Sequence, residues 1–432
     1  MFTVPVGDWF RHGSYAWLEQ TLAGSDLLRL PTWLFVAYGG GHIAMVLPVA
    51  QRVRELGIAR PLVLALTTAQ GPSRAAGLET VGFADFAQAD DAPALARGAQ
   101  LLAGLSASPS HVDPRESVAY LGLSYADLVS RLGQDAAAQA YETFGRQCFH
   151  PVPTLRRILN AVSPSLVVAT NSPRAEQAAI EAARELLIPS VCMVDLFAVD
   201  EKRWIGRPGY ADRICVLNES VRQVLLAEGR APEEVVVTGN PAFDCLFDPA
   251  HRQAAIDVRR RLNVGDRKLV VYAPSPEPLR HPVREQTGNE QLPFEVLAGL
   301  AAWARGRTDI LLAVRPHPSQ GREISLPPGS NAVLTGQDWP LEPLLHASDA
   351  VCVTVSTVGL QAWLIGKPVV QVPGSMFDDG APYISMGIAR GAPMAEVGAA
   401  MDAALADIAH EREPQVRAVP QVIDVLVRTA NL

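Results

Sequence analysis

Short, unbroken apolar runs rich in β-branched residues alternate along this chain with segments of helical periodicity, and no other feature constrains its fold as much. Strands that read as continuous hydrophobic runs are buried on both faces, and helices between them make them parallel. Thr32 to Tyr38 is the first such run and ends in glycines; "IAMVLPVAQRVRELG" follows as an amphipathic helix closing at Gly57. "PLVLALTT", Ser165 to Asn171, "SVCMVD", "RICVLN" and "EVVVTGN" continue the series, with the helix "AEQAAIEAARELL" after Asn171. Beyond Pro241 a second series begins. In it Lys268 to Ser275, "ILLAVRPHP", Ala350 to Ser356 and "PVVQVPG" read as strands, and "FEVLAGLAAWARG" and Val358 to Gly366 as helices.

A chain of 432 residues is too long for one ordinary core. The expectation is an α/β protein with two Rossmann-like, doubly wound domains facing across a cleft. An N-terminal domain would span residues 1–240 and a C-terminal domain 241–400, with terminal helices over 401–432 returning to the first domain. Residues 88–152, rich in Ala, Ser and Asp, read as helices plus an insertion over the cleft.

Charge narrows the partners. The 37 basic and 45 acidic residues give a net charge of -8, with no basic stripe, which argues against nucleic acid. An anionic small ligand stays compatible, since helix N-termini hold phosphates through backbone N–H groups. The five cysteines are scattered, without CxxC spacing, and most sit in apolar runs, so they read as buried reduced thiols. No basic-then-apolar leader and no apolar stretch of about 20 residues is present, so the expected location is the cytoplasm, with peripheral contact at the inner membrane left open.

Four strand ends carry residues suited to chemistry. In "YGGGHIAM", Gly40 and Gly41 let the backbone turn tightly and approach a ligand, and His42 stands at a helix N-terminus, either as a general base or as a local cap. In "LLAVRPHPSQ", prolines stiffen a loop from which Arg315 and His317 could meet an anion; the alternative is a surface loop with Arg315 on a carboxylate. Ser356 and Thr357 lie where a strand turns into a helix, placed for a phosphate or as an ordinary N-cap, and Gln361 is one turn further in, within reach of a ribose. In "YAPSPEP", Ser275 is a further phosphate contact, and the long loop Glu277 to Gln291 reads as a mobile lid. There is no GxxxxGK[ST], HExxH, GxSxG or GxGxxG, and no clustered metal spacing.

Taken together, these motifs resemble the GT-B glycosyltransferase superfamily. "GGGHIAMVLPVAQRVREL" is similar to the first glycine-rich loop of MurG-like and plant-type UDP-glycosyltransferases, and "EVVVTGNPAFD" to the "TGNP" segment of MurG and the UDP-N-acetylglucosamine 2-epimerases. "STVGLQAWLIGKPVVQVP" resembles their donor-binding helix, with Gln361 where many carry a glutamate for the ribose. "RPHP" followed by "ST" is similar to the His-Pro and Ser/Thr motifs of sialyl-, Kdo and CDP-glycerol transferases, in which they hold the donor phosphate. The His-Arg-Glu-Asn signature of the epimerases is absent. The resemblance implies an inverting glycosyltransferase in bacterial surface polysaccharide or glycoconjugate synthesis, taking a UDP- or CMP-sugar to a glycan or lipid-linked acceptor. It implies His42 as base, Ser275, His317, Ser356 and Thr357 on the leaving phosphate with Arg315 assisting, and no obligatory cofactor or metal. No motif marks the carboxylate that would orient His42; Asp113 is the candidate. The alternatives are a nucleotide-sugar epimerase or hydrolase, a CDP-glycerol-type phosphotransferase, or a non-catalytic nucleotide-binding module.

Overall fold

The computed structural model describes residues 30–105, 112–281, 285–319, 321–336, 338–407 and 417–431. The chain divides into two compact units, one reaching Ala242 and taking in the segment from Arg417 onward, the other beginning at Phe243.

The first unit is a parallel sheet of β1 (Thr32–Ala37), β2 (Arg60–Ala65), β3 (Glu79–Val81), β4 (Leu166–Thr170), β5 (Ser190–Met193), β6 (Arg213–Val216) and β7 (Val235–Val237). Its order is β3-β2-β1-β4-β5-β6-β7. The apolar runs become strands because both faces are covered: every residue of β4 is buried, as are five of the six in β1. Helix Gly41–Glu55 packs Met45, Val46, Val49 and Val53 onto Phe35, Val63 and Val168, beside Val422, Val425 and Leu426 of the terminal helix Ala418–Thr429.

Between β3 and β4 the Ala-rich stretch forms helices Ala92–Ala103, Pro114–Leu132, Gln134–Phe144 and Val152–Val162. The first two touch at glycines. A Cβ on Gly122 would lie 2.2 Å from the Ala94 carbonyl oxygen, and one on Gly98 2.2 Å from that of Val118, so only hydrogen fits at this crossing.

The second unit is a parallel sheet of β8 (Lys268–Ala273), β9 (Ile310–Val314), β10 (Ala332–Leu334), β11 (Ala350–Val353), β12 (Val369–Gln371) and β13 (Arg390–Gly391). Its order, β10-β9-β8-β11-β12-β13, repeats the 3-2-1-4-5-6 arrangement of the first sheet. Helices Leu292–Ala304 and Val397–Ala406 cover one face, burying Val296, Leu297, Leu300, Val397 and Met401 with Val270, Leu312 and Cys352. The tail expected over 401–432 is therefore divided. Residues to Ala406 stay with the second core because Val397, Met401 and Ala404 form one buried stripe on it, and the helix Ala418–Thr429 packs in the first.

Cys192, Cys215 and Cys352 are buried thiols in strands, with burial pushing Cys215 and Cys352 up to about 12. Against expectation, Cys148 is half-buried and Cys245 exposed. Among the described residues no helix is long and apolar enough to cross a membrane.

Candidate functional site

In sheets of this order, ligands bind where the loops after the first and fourth strands diverge. In the first unit those loops follow β1 and β4. The glycines after β1 serve different ends. A Cβ on Gly39 would sit 1.7 Å from the Thr68 hydroxyl, and Gly40 holds φ 68°. Gly41 opens the helix, which no side chain caps and whose first turn carries no acid. Its positive end is thus left available to a ligand.

His42, on that first turn, is half-buried, and its Nδ1 is shielded from solvent without a hydrogen-bond partner. Burial holds its pKa below the ordinary histidine value; the charge of Asp195 opposes that shift and the charge of Arg174 adds to it. The imidazole is therefore neutral at pH 7, as a general base must be. Asp195 follows β5. Its Oδ1 accepts from Asn171 Nδ2 (3.1 Å) and Leu196 N (2.8 Å), and its carbonyl oxygen accepts from Asn240 Nδ2 (2.6 Å). Asn240 of the "TGNP" segment thereby braces the loop that carries this carboxylate.

Asp113 is elsewhere. It is exposed and caps helix Pro114–Leu132, accepting from Arg115 N at 2.9 Å. The expectation that it serves His42 is corrected: the sequence Asp-Pro-x-Glu is a helix start, and the carboxylate whose charge reaches His42 is Asp195.

Glu176, on the first turn after β4, is fully buried, and Oε1 accepts the Tyr38 N–H at 2.7 Å. Oε2 and the Thr170 hydroxyl have no partner of good geometry. Burial pushes this carboxyl up to about 7, against the pull of its hydrogen bonds and of Arg174. Asp195, Arg174, Glu176 and Asn171 were missed in the sequence; each stands at or just past a strand end, and that position was the one signal available.

In the second unit, half-buried Ser275 follows β8, and Ser356 and Thr357 follow β11, the two loops of that sheet's switch point. Ser356 is buried and its Oγ accepts from Val358 N (3.3 Å), so this hydroxyl caps helix Thr357–Leu364. Thr357 is exposed and Gln361 half-buried one turn on. Arg315 donates to the carbonyl oxygens of Gly336 (3.3 Å) and Trp339, tying the end of β9 to the next loop through carbonyls rather than a carboxylate. His317 is exposed, and its Nδ1 accepts from Ser319 N at 3.1 Å. Partial burial lowers its pKa, so the neutral ring carries its proton on Nε2, a donor suited to a phosphate oxygen.

The base of the expected lid is anchored. Glu277 is buried and accepts from Ser375 Oγ (2.6 Å) and Met376 N (2.8 Å), and Gly288 N donates to the Leu279 carbonyl at 3.0 Å. Among the described residues no three His, Cys, Asp or Glu side chains gather as metal ligands do.

No protein-family model and no curated protein matches the sequence. Solved structures do match. A UDP-GlcNAc 2-epimerase from Neisseria meningitidis, bound to UDP-GlcNAc, superposes with a TM-score of 0.57 at 11% identity, covering 92% of this chain and 100% of its own. The glycosyltransferase of kitacinnamycin gives 0.54 at 16% identity, over 93% and 99%. The calicheamicin glycosyltransferase CalG4 gives 0.51 at 14% identity, over 93% and 95%. At these identities the likeness is one of fold: the chain has the two Rossmann-like domains of the GT-B architecture.

Proposed function

We propose that this protein is a glycosyltransferase that moves a sugar from a nucleotide-activated donor to a hydroxyl of a glycan or lipid-linked acceptor, with inversion and without an obligatory metal. One observation carries the choice of transfer: a neutral histidine at the glycine-rich end of β1, with Nδ1 unpartnered and the Asp195 charge acting on it. Such a group removes a proton from an incoming hydroxyl. The first unit handles the acceptor. The second binds the nucleotide through Ser275, His317 Nε2, the first turn at Thr357, and Gln361, which together stabilise the departing phosphate. Ser356 contributes by capping that turn, and Arg315 by fixing the loop that presents His317.

Epimerisation is the second reading, favoured by the epimerases among the structural neighbours. The two differ in one measurement. Incubated with UDP- or CMP-sugars, a transferase releases nucleotide only when acceptor is added, whereas an epimerase converts the donor alone. Conversion that needs no acceptor would overturn the transferase.

His317→Ala is expected to weaken nucleotide binding by about tenfold, the loss of one hydrogen bond to a charged group. Calorimetric titration with UDP, CMP and CDP checks it, and unchanged affinity for the nucleotide that binds would move the donor phosphate away from the "RPHP" loop.

A further inference from the structure

We propose that the first unit carries an anion subsite built on Arg174, so that the molecule it receives, the acceptor if the function above is right, bears a phosphate or carboxylate group. Arg174 stands between β4 and helix Ala175–Glu185 with φ 77° and ψ −114°, a conformation that glycine adopts readily and arginine does not. Its guanidinium lies over the Tyr38 ring, 4.8 Å from the centroid. Among the described residues it makes no ion pair and no side-chain hydrogen bond, and its Nε is shut off from solvent without an acceptor. Glu176, two residues on, gives its bonded oxygen to Tyr38 N instead.

Arg174 is not the only orphan. The Tyr120 hydroxyl, on a side chain 1% exposed, also lacks a partner. The Arg174 charge acts on Tyr120, on Glu176 and on His42. Tyr38 leads straight into the uncapped helix Gly41–Glu55. Buried donors are ordinarily satisfied, and an arginine is ordinarily not held against its backbone preference. Stacking on Tyr38 accounts for where the guanidinium lies but leaves the strained backbone, Nε and the Tyr120 hydroxyl unexplained. An oxyanion accepting from the terminal guanidinium nitrogens, which are not shut off as Nε is, gives this cation the partner it lacks.

The Arg174 charge acts on His42, so His42 reports on the subsite. An anion against Arg174 offsets the charge that holds the His42 pKa down, and the pKa rises. The test follows the histidine ring signals of the full-length protein, labelled with 13C-histidine and assigned with His42→Ala, during titration with inorganic phosphate, with glucuronate and with neutral glucose. We expect phosphate or glucuronate, and not glucose, to raise the His42 titration midpoint saturably; whichever binds more tightly tells a phosphorylated acceptor from a uronic-acid one. In Arg174→Gln the midpoint should start higher, and affinity should fall at least about tenfold. Arg174→Gly, which relieves the backbone, should melt above the wild type while losing the anion, separating loss of the site from loss of the fold. A His42 midpoint that neither anion moves, or that moves equally in Arg174→Gln, overturns the subsite. Anion binding at Arg174 in a protein that converts donor without acceptor would keep the subsite and discard the transferase; acceptor-dependent transfer with an unresponsive His42 would do the reverse.

Discussion

Replacing His42 by alanine is expected to slow sugar transfer by about two to four orders of magnitude, the range for removing a positioned general base. Nucleotide affinity should stay at the wild-type value, because His42 belongs to the first unit and the donor phosphate is assigned to the second. The size of the effect follows from what the site gives this side chain. Burial and Arg174 keep the ring neutral, the Asp195 charge opposes them, and Nδ1 has no competing partner. The loss should lie in kcat at saturating acceptor, since a base acts in the transition state more than in binding. Asp195→Asn is the companion variant: it keeps the shape of the Asn171 and Asn240 contacts while removing the charge that favours the imidazolium formed during transfer. Transfer at the wild-type rate in His42→Ala would remove the base from the mechanism, whatever the nucleotide result.

The second large effect is on stability and has a definite sign. The Glu176 carboxyl is fully buried and pushed up to about 7, against an ordinary value of 4.5 in the unfolded chain. Between those values the folded protein holds a proton that the unfolded chain has released. Its contribution is therefore complete below pH 4.5 and is lost as pH rises through 7. Glu176→Gln keeps an acceptor for the Tyr38 N–H and does not titrate. Between pH 5 and 8 the wild type should lose on the order of 3 kcal/mol more stability than this variant. Urea denaturation of both proteins across that range checks it, and the difference between the curves removes the histidines and other carboxyls common to both. Parallel curves would mean that Glu176 is ionised in the folded protein.

Much of the fold was legible. β1, β2, β4, β8, β9 and β11 were each readable because a strand covered on both faces must be a continuous apolar run. Three of the four edge strands were not. β3, β10 and β13 have two or three residues each, mostly half-buried or exposed, and become strands by pairing with a neighbour rather than by their own pattern. The crossing of helices Ala92–Ala103 and Pro114–Leu132 rests on the close approach at Gly98 and Gly122, which no periodicity announces.

The site divides along the same line. Of the residues proposed for it, His42, His317, Ser356 and Thr357 stood out because each lies in a contiguous segment that joins a strand end to a helix or loop. Asp113 was misplaced although its Asp-Pro-x-Glu context marked a helix cap, and Ser356 turned out to place its hydroxyl in the same kind of cap.

The two parallel sheets, the loops at their strand ends and the histidine on the first of them follow from local sequence pattern. These depend on hydrophobic periodicity and on glycine and proline chemistry, which act over a few neighbouring residues. Which charges act on that histidine depends on long-range packing. Tyr38 and Glu176 are 138 residues apart in the chain, and Asp195 is held by Asn240 across 45 more. Strand order brings those ends together, and the burial it imposes sets whether each group is charged, since desolvation and Coulomb forces act through space and not along the chain.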